Sequence, residues 1–251
     1  MSLTIGEPWE FGTLGIYDFN SPGPYSEIFS YLNSTKGYVI GDILEAGTYR
    51  GRMALAFALW LRQSELNRTV HTFDTFSGFP EYSNQDDFRN FWELYRNGDI
   101  DDSHFKKVKK LKMIKTALGK IDPHPSNLSN SGDFSQNSLE ILQAKIDLLN
   151  LQNLKVYKGN FRETMTSADI RSRKWWLVFI DCDLYSGYKQ TLSITWENVQ
   201  RGGMVFLDEY FSFKFPGARI AVNEFLNDFP DVKISNVSSN SGFSRWALVK
   251  E

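Results

Sequence analysis

The sequence predicts an α/β protein built on an open, mostly parallel sheet with helices on both faces. Two observations predict this fold. Apolar, β-rich runs alternate with segments of helical character, and a short Ser/Asn/Gly turn separates the last two β-like runs. Strand–helix alternation implies parallel strands joined by right-handed crossovers, whereas so short a turn allows only an antiparallel pair. The predicted sheet is therefore parallel except for one reversed hairpin at its end.

Seven runs carry the strand pattern, and four segments carry the helix pattern. The predicted strands are residues 42–46, 69–74, 155–157, 177–181, 204–208, 232–237 and 244–249. The predicted helices are residues 53–61, 139–151, 187–199 and 216–229. An Asn-Ser start at Ser138 is suited to cap the second helix, and Pro216 suits the first turn of the last one. Arg201-Gly202-Gly203 predicts a turn before the fifth strand.

Length and composition indicate one globular α/β domain over residues 1–251, with an N-terminal extension over residues 1–38 and an insertion over residues 77–137. The balance of 28 basic and 30 acidic side chains argues against a nucleic-acid-binding protein. No apolar run approaches the roughly 18 residues that span a bilayer, which argues against a membrane protein. A single cysteine, Cys182, and a start without a secretory signal favour a reducing, cytoplasmic location.

Each of three features of the sequence allows two interpretations. The aromatic content of 15% fits either a core of large rings or a pocket or subunit interface lined with rings. The insertion, with its lysine run over residues 106–115, is either a solvated surface segment or a lid over the site. The N-terminal extension either covers the substrate cleft or forms a subunit contact, and we expect a homo-oligomer, most simply a dimer.

A glycine-containing turn follows the first predicted strand. Its spacing is Glu45-x-Gly47-x-x-x-Gly51, which differs from the dinucleotide fingerprint. Glycine lets the backbone approach a ligand, and the next helix begins with free N–H groups. An acidic residue here suits a cationic ligand such as S-adenosylmethionine, and Asp74, after the second strand, is placed to accept hydrogen bonds from ribose hydroxyls. Gly159 and Asn160 follow the third strand at the same edge.

Carboxylates also follow the fourth and fifth strands. Asp181 and Asp183 end one run, and Asp208 and Glu209 end the next. If these strands are neighbours, Asp181, Asp208 and Glu209 converge, and clustered carboxylates repel one another unless a cation or proton intervenes. Oxygen ligands without cysteine or histidine suit Mg²⁺, Ca²⁺ or Mn²⁺. The acids on both sides of Cys182 raise its expected pKa and make it a poor nucleophile.

These motifs resemble the macrocin O-methyltransferase (TylF-type) family, which methylates sugars of natural-product glycosides. The resemblance runs from about residue 40 to 230, and its most specific elements are Asp-Thr-Phe-x-Gly-Phe-Pro and Asp-x-Asp-Leu-Tyr. It is carried by Gly41-Asp42-Ile43-Leu44-Glu45-Ala46-Gly47 with Arg50-Gly51, Asp74-Thr75-Phe76-Ser77-Gly78-Phe79-Pro80, Lys158-Gly159-Asn160-Phe161, Ile180-Asp181-Cys182-Asp183-Leu184-Tyr185, Gly202-Gly203-Met204-Val205-Phe206-Leu207-Asp208-Glu209-Tyr210 and Pro216-Gly217-Ala218-Arg219-Ile220-Ala221-Val222.

The resemblance implies a class I methyltransferase (Rossmann-like) fold, S-adenosyl-L-methionine as methyl donor and a divalent metal, usually Mg²⁺. It implies that Asp181, Asp208 and Glu209 bind the metal and that Asp181 is also the catalytic base. Members of the family often have aspartate where this chain has Glu209, which is one methylene longer. The residues predicted to bind the methyl donor are Glu45, Ala46, Gly47, Thr48, Tyr49, Arg50, Asp74, Thr75, Ser77, Gly159, Asn160 and Asp181.

The predicted function is therefore a metal-dependent O-methyltransferase acting on a hydroxyl of a sugar in a glycoside or related saccharide. The insertion contains no segment that matches the family. The resemblance therefore does not indicate which acceptor molecule is methylated. One alternative is a catechol-type O-methyltransferase that acts on an aromatic vicinal diol. The other is a cofactor-binding assembly subunit without catalysis. The acidic residues at the ends of two strands argue against this alternative.

Overall fold

The computed structural model describes residues 3–21, 23–119, 123–238 and 244–251. At its centre is a seven-stranded sheet with the order β3-β2-β1-β4-β5-β7-β6. The first five strands are parallel, and β7 pairs antiparallel with both β5 and β6. This confirms the predicted sheet, while most of the turn expected over residues 238–242 lies outside the described residues. The strands are β1 (Asp42–Ala46), β2 (Val70–Asp74), β3 (Leu154–Lys158), β4 (Trp175–Ile180), β5 (Val199–Leu207), β6 (Ile234–Ser238) and β7 (Arg245–Val249).

Helices cover both faces of the sheet. They are α1 (Pro8–Leu14), α2 (Ser26–Thr35), α3 (Arg52–Gln63), α4 (Asn90–Arg96), α5 (Asp102–Ala117), α6 (Pro125–Leu128), α7 (Leu139–Leu149), α8 (Phe161–Thr164), α9 (Ala168–Ser172), α10 (Tyr185–Thr195) and α11 (Pro216–Asp228). As predicted, Ser138 caps α7 by accepting from the Ile141 amide, and Pro216 begins α11. No helix among the described residues is long and apolar enough to cross a membrane.

The central strands β1 and β4 are buried on both faces of the sheet, and their successive side chains point to opposite sides. In β4, Leu177 and Phe179 pack in the core under α2, α3 and α7, whereas Val178 and Ile180 pack in the core under α10 and α11. This burial explains the unbroken apolar runs of the strands. Aromatic rings fill much of the first core, where Phe179 packs at 5.6 Å from Phe206 between ring centroids.

One turn and one helix end were predicted wrongly. The segment Arg201-Gly202-Gly203 lies inside β5, which begins at Val199, and does not form a turn before the strand. The helix predicted over residues 187–199 ends earlier than predicted, at Thr195. The backbone amide of Gly202 donates to the carbonyl of Lys250, and the Lys250 amide donates to Gly203. Gly202 adopts a φ of 76°, and the register with β4 shifts here. The glycines therefore form an irregularity within a strand that the end of β7 stabilises.

The insertion packs against the sheet domain through a small core of its own. Its apolar side chains, including Phe88, Phe91 and Leu128, contact Phe213 and Ile220 of the sheet domain. The carboxylate of Asp86, which is 1% exposed, accepts from the Tyr185 amide at 2.8 Å. The described part of the insertion is thus a packed element. The lysine run forms the charged helix α5, most of whose lysines face solvent.

Candidate active site

The carboxyl ends of the five parallel strands meet at one edge of the sheet. There β1 lies between β2 and β4, so the order of strands reverses at β1, and a cavity at such a point is the usual ligand site of a doubly wound sheet. An open cavity lies there, lined by residues at the carboxyl ends of four adjacent strands of the sheet. These residues are Asn160, Asp74, Gly47 and Asp181.

The turn after β1 is held close to β4 and β2. Gly47 has a φ of 96°, and a Cβ added to it would lie 1.9 Å from the carbonyl oxygen of Asp181. Asp74 Oδ2 accepts from the amides of Thr48 at 3.0 Å and Tyr49 at 2.8 Å. Asp74 Oδ1 accepts from the Phe76 amide at 2.7 Å. The Asp74 carboxylate therefore organises the turn from inside the cavity that it lines.

Glu45 is buried within β1, with only 1% of its surface exposed, and the Thr72 hydroxyl donates to its carboxylate. Burial raises the pKa of Glu45 to about 8 from the ordinary value of 4.5. The structure therefore places Glu45 behind the turn rather than on the cavity surface. A protonated, hydrogen-bonded carboxyl group is the form that its surroundings favour at neutral pH.

The raised pKa of Glu45 predicts a pH-dependent stability. The folded chain binds one proton more than the unfolded chain between pH 4.5 and about 8. Glu45 therefore lowers the free energy of unfolding as the pH rises through this window, by at most ~1.4 kcal/mol per pH unit. We expect Glu45→Gln, which cannot ionise, to remove this contribution, so that its stability relative to the natural chain increases with pH.

Urea unfolding at pH 5, 7 and 8.5 measures this difference. Glu93→Gln makes the same chemical change on a side chain that is 56% exposed, and its stability difference is expected to vary little with pH. A Glu45→Gln difference that is constant across the three pH values would contradict the prediction.

The three carboxylates predicted to converge do converge. Asp181, Asp208 and Glu209 each offer an oxygen, and these atoms all lie within 4.8 Å of one another. Asp208 and Glu209 are each only 7% exposed, while Asp181 also lines the cavity. Adjacent parallel strands bring the two groups together because Ile180 of β4 pairs with Leu207 of β5, the residues that immediately precede the acids.

Mutual repulsion and burial dominate the electrostatics of this cluster. Burial, followed by the charge of Asp208, raises the pKa of Asp181 well above its usual range, and the same two causes raise the pKa of Glu209. Burial also raises the pKa of nearby Asp183 to about 8. The Arg245 guanidinium lies 3.0 Å from Asp208 Oδ1 and offsets part of the negative charge.

Other predicted donor-binding residues take different places. Tyr49 and Thr75 also line the cavity. Ala46 and Thr48 are buried and do not line the cavity, while Ser77 and Arg50 are exposed. Arg50 borders a second, open cavity with Lys145, outside the main one. Gly159, with a φ of 143°, precedes Asn160, whose side chain caps α8 by accepting from the Arg162 amide.

Several residues that line the cavity were not among the predicted site residues. Phe79 and Phe134 reach the cavity from the insertion, and their ring centroids lie 5.3 Å apart. Gln190 lines it from α10 and Asp183 from the loop after β4. The Asp-Thr-Phe-x-Gly-Phe-Pro motif contains Phe79, so that motif was the signal available in the sequence. Burial raises the pKa of Cys182, in keeping with the predicted unreactive thiol.

The N-terminal extension also reaches this region. Tyr25 packs edge-on against Phe179 at 5.8 Å between ring centroids, and Arg245 lies over its ring at 5.3 Å. Burial raises the pKa of Tyr25 well above its usual value, and the charges of Asp208 and Asp181 add to the increase. The extension therefore packs beside the carboxylate cluster.

Residues 126–235 match the family model described as macrocin-O-methyltransferase (TylF). This segment contains all three clustered carboxylates, while the glycine turn and Asp74 precede it. The match confirms the resemblance for the second half of the motifs. A comparison with curated proteins found no match.

Solved methyltransferase structures are similar to this chain. The O-methyltransferase NovP has a TM-score of 0.64 and 20% identity, and the alignment covers 90% of this chain and 79% of NovP. CalS11, described as a calicheamicin methyltransferase, has a TM-score of 0.58 and 20% identity over 98% of this chain and 94% of its own. An apo structure of CalS11, described as a TDP-rhamnose 3′-O-methyltransferase, has a TM-score of 0.52 and 19% identity over 98% and 96%.

The structural matches show the class I methyltransferase fold with its C-terminal antiparallel hairpin. The family match over residues 126–235 indicates that the chain is an O-methyltransferase.

Proposed function

We propose that this chain, whose residues 126–235 match the macrocin-O-methyltransferase family, transfers a methyl group from S-adenosylmethionine to a sugar hydroxyl with the aid of a divalent cation. The observation that carries the proposal is the convergence of Asp181, Asp208 and Glu209 within 4.8 Å at the edge of a cavity that extends to Asp74. A methyl donor and a chelated acceptor need these two environments side by side.

The cavity fits the nucleoside and amino-acid parts of the proposed donor. Gly47 lines the cavity, and because it has no side chain the turn lies close against the Asp181 backbone at the edge where the donor is proposed to bind. Asp74 and Asn160 line the cavity at the ends of β2 and β3, where ribose and adenine are proposed to bind. The rings of Tyr49, Phe79 and Phe134 provide apolar surface for the rest of the donor.

The carboxylate cluster fits a divalent cation in donor chemistry and in charge. Asp181, Asp208 and Glu209 present hard oxygen atoms, which Mg²⁺, Mn²⁺ and Ca²⁺ prefer. Three ionised carboxylates beside one Arg245 leave a net charge of about −2, which a divalent cation would neutralise. We propose these three side chains as the residues that would hold it.

When bound, the donor supplies an electrophilic methyl group, and the cation supplies a Lewis acid that lowers the pKa of the acceptor hydroxyl. Asp181 lies on the cavity surface at the end of β4 and accepts the hydroxyl proton as general base. The turn at Gly47 and the carboxylate of Asp74 orient the donor toward Asp181. Phe79 and Phe134 of the insertion shield the reacting atoms from water.

A sugar is the acceptor that the comparisons favour, because the family is named for macrocin and CalS11 is described as acting on TDP-rhamnose. The aromatic lining of the cavity is the one observation that favours a catechol instead. A non-catalytic assembly subunit would need no carboxylate cluster. The homodimer and the cytoplasmic location stay predictions.

Methyl transfer from a labelled donor tests the proposal. Glycosides, nucleotide sugars and catechols are offered in parallel, each with Mg²⁺ and with EDTA. We expect transfer to a sugar that EDTA lowers by at least a hundredfold and that added Mg²⁺ restores. Full activity in EDTA would exclude the metal, and transfer to catechols alone would exclude the sugar. Donor binding in calorimetry without transfer to any acceptor would favour the assembly subunit.

A further inference from the structure

Tyr188 of α10 lies directly behind the carboxylate cluster. It is fully buried and is absent from the cavity surface, so it cannot contact a substrate there. Its hydroxyl lies 2.8 Å from the Glu209 amide, 3.0 Å from Glu209 Oε2 and 3.0 Å from the carbonyl oxygen of Ile180. This one hydroxyl therefore joins the residue before Asp181 to both ends of Glu209.

The number of protons decides what the hydroxyl does. The Glu209 amide can only donate, so the Tyr188 oxygen accepts that bond and keeps one proton to give. Two acceptors at equal distance compete for this proton: the Ile180 carbonyl and the Glu209 carboxylate. With a cation bound, Glu209 would be ionised and its carboxylate would be the stronger acceptor, because hydrogen bonds to a charged acceptor are roughly twice as strong as those between neutral groups.

Glu209 needs such a constraint. Its side chain has one more rotatable bond than an aspartate, and fixing that bond costs conformational entropy whenever the carboxylate binds a cation. A hydrogen bond to Oε2 holds the carboxylate in its observed rotamer. The same hydroxyl also accepts a hydrogen bond from the Glu209 backbone amide. One group therefore orients both the backbone and the carboxylate of Glu209.

We propose that Tyr188 is a positioning residue that orients Glu209 for divalent-cation binding, and this inference rests on the proposed function of the cluster. Partners that orient metal ligands typically contribute 10- to 100-fold to metal affinity. We therefore expect Tyr188→Phe, which removes only the hydroxyl, to weaken Mn²⁺ binding about tenfold or more without changing the affinity for S-adenosylhomocysteine.

Calorimetric titration of the full chain with Mn²⁺ measures this effect. The matched control is Tyr31→Phe, which removes a hydroxyl that donates to the Gly202 carbonyl at 2.6 Å, away from the cluster. The control is expected to bind Mn²⁺ like the natural chain. Thermal unfolding of each variant establishes that the folded protein is being compared.

A double-mutant cycle with Glu209→Asp separates positioning from general support of the fold. The shorter carboxylate withdraws from the Tyr188 hydroxyl, so adding Tyr188→Phe to Glu209→Asp should change the Mn²⁺ affinity by less than about threefold. An unchanged affinity in Tyr188→Phe, or an equal loss in both backgrounds, would overturn the inference alone. A natural chain that binds no Mn²⁺ would overturn the metal site and the inference together.

Discussion

Asp181→Asn is expected to lower kcat for methyl transfer by about 10²–10⁴-fold, the usual contribution of a general base. Asparagine keeps the size of the side chain but cannot accept the hydroxyl proton, and it replaces a charged oxygen of the proposed metal site. The folded chain should not be destabilised, because the substitution relieves repulsion with Asp208, which helps to raise the pKa of Asp181. Rate measurements with labelled donor and thermal unfolding together provide the test.

Asp183→Asn is the comparison for this variant. Asp183 lines the same cavity from the same loop but is not one of the three clustered carboxylates. We expect its loss of activity to be at least tenfold smaller than that of Asp181→Asn. Equal losses in the two variants, or full activity in Asp181→Asn, would show that the role of base was assigned to the wrong residue.

Gly47→Ala is expected to destabilise the chain by about 3 kcal/mol or more and to abolish donor binding. Its φ of 96° disfavours any side chain, and its Cβ would lie 1.9 Å from the Asp181 carbonyl oxygen and 2.6 Å from the carbonyl carbon. These are backbone atoms, so β1 and β4 would have to separate at the edge that forms the cavity. Urea unfolding and calorimetry with S-adenosylhomocysteine measure the two effects.

Gly98→Ala separates backbone strain from the steric clash. Gly98 has a φ of 80°, and a Cβ added there would meet nothing within 4 Å. We expect this variant to lose only about 1 kcal/mol, the cost of a left-handed conformation for alanine, and to retain donor binding. An equal decrease in the free energy of unfolding in the two variants would show that the close approach of Gly47 to the Asp181 backbone does not contribute to stability.

The strands were predictable because the sheet is buried on both faces. Such a strand is a continuous apolar run, and β1 and β2 ended where the sequence predicted, at Ala46 and Asp74. The beginning of β5 was missed because glycines normally interrupt a strand. Pairing with the end of β7, nearly 50 residues later, keeps Gly202 and Gly203 in the sheet, and no local pattern contains that contact.

The acids of the site were predictable for a similar reason. Parallel neighbours place their carboxyl ends together, so Asp181, Asp208 and Glu209 converge once β4 and β5 pair. The burial of Glu45 and the outward position of Arg50 were not predictable, because both residues belong to the same short motif. Which side chain of a turn faces a ligand depends on backbone angles that the motif does not encode.

Residue order alone therefore determined the layered α/β fold, the edge at which the site lies and the carboxylates that form it, since these follow from periodicity and from short-range pairing of successive units. Tertiary structure alone decided what surrounds that edge: the insertion rings of Phe79 and Phe134, Arg245 of the last strand beside Asp208, and Tyr188 behind Glu209. These contacts join residues far apart in the chain, and their geometry depends on how whole elements pack, which no local pattern specifies.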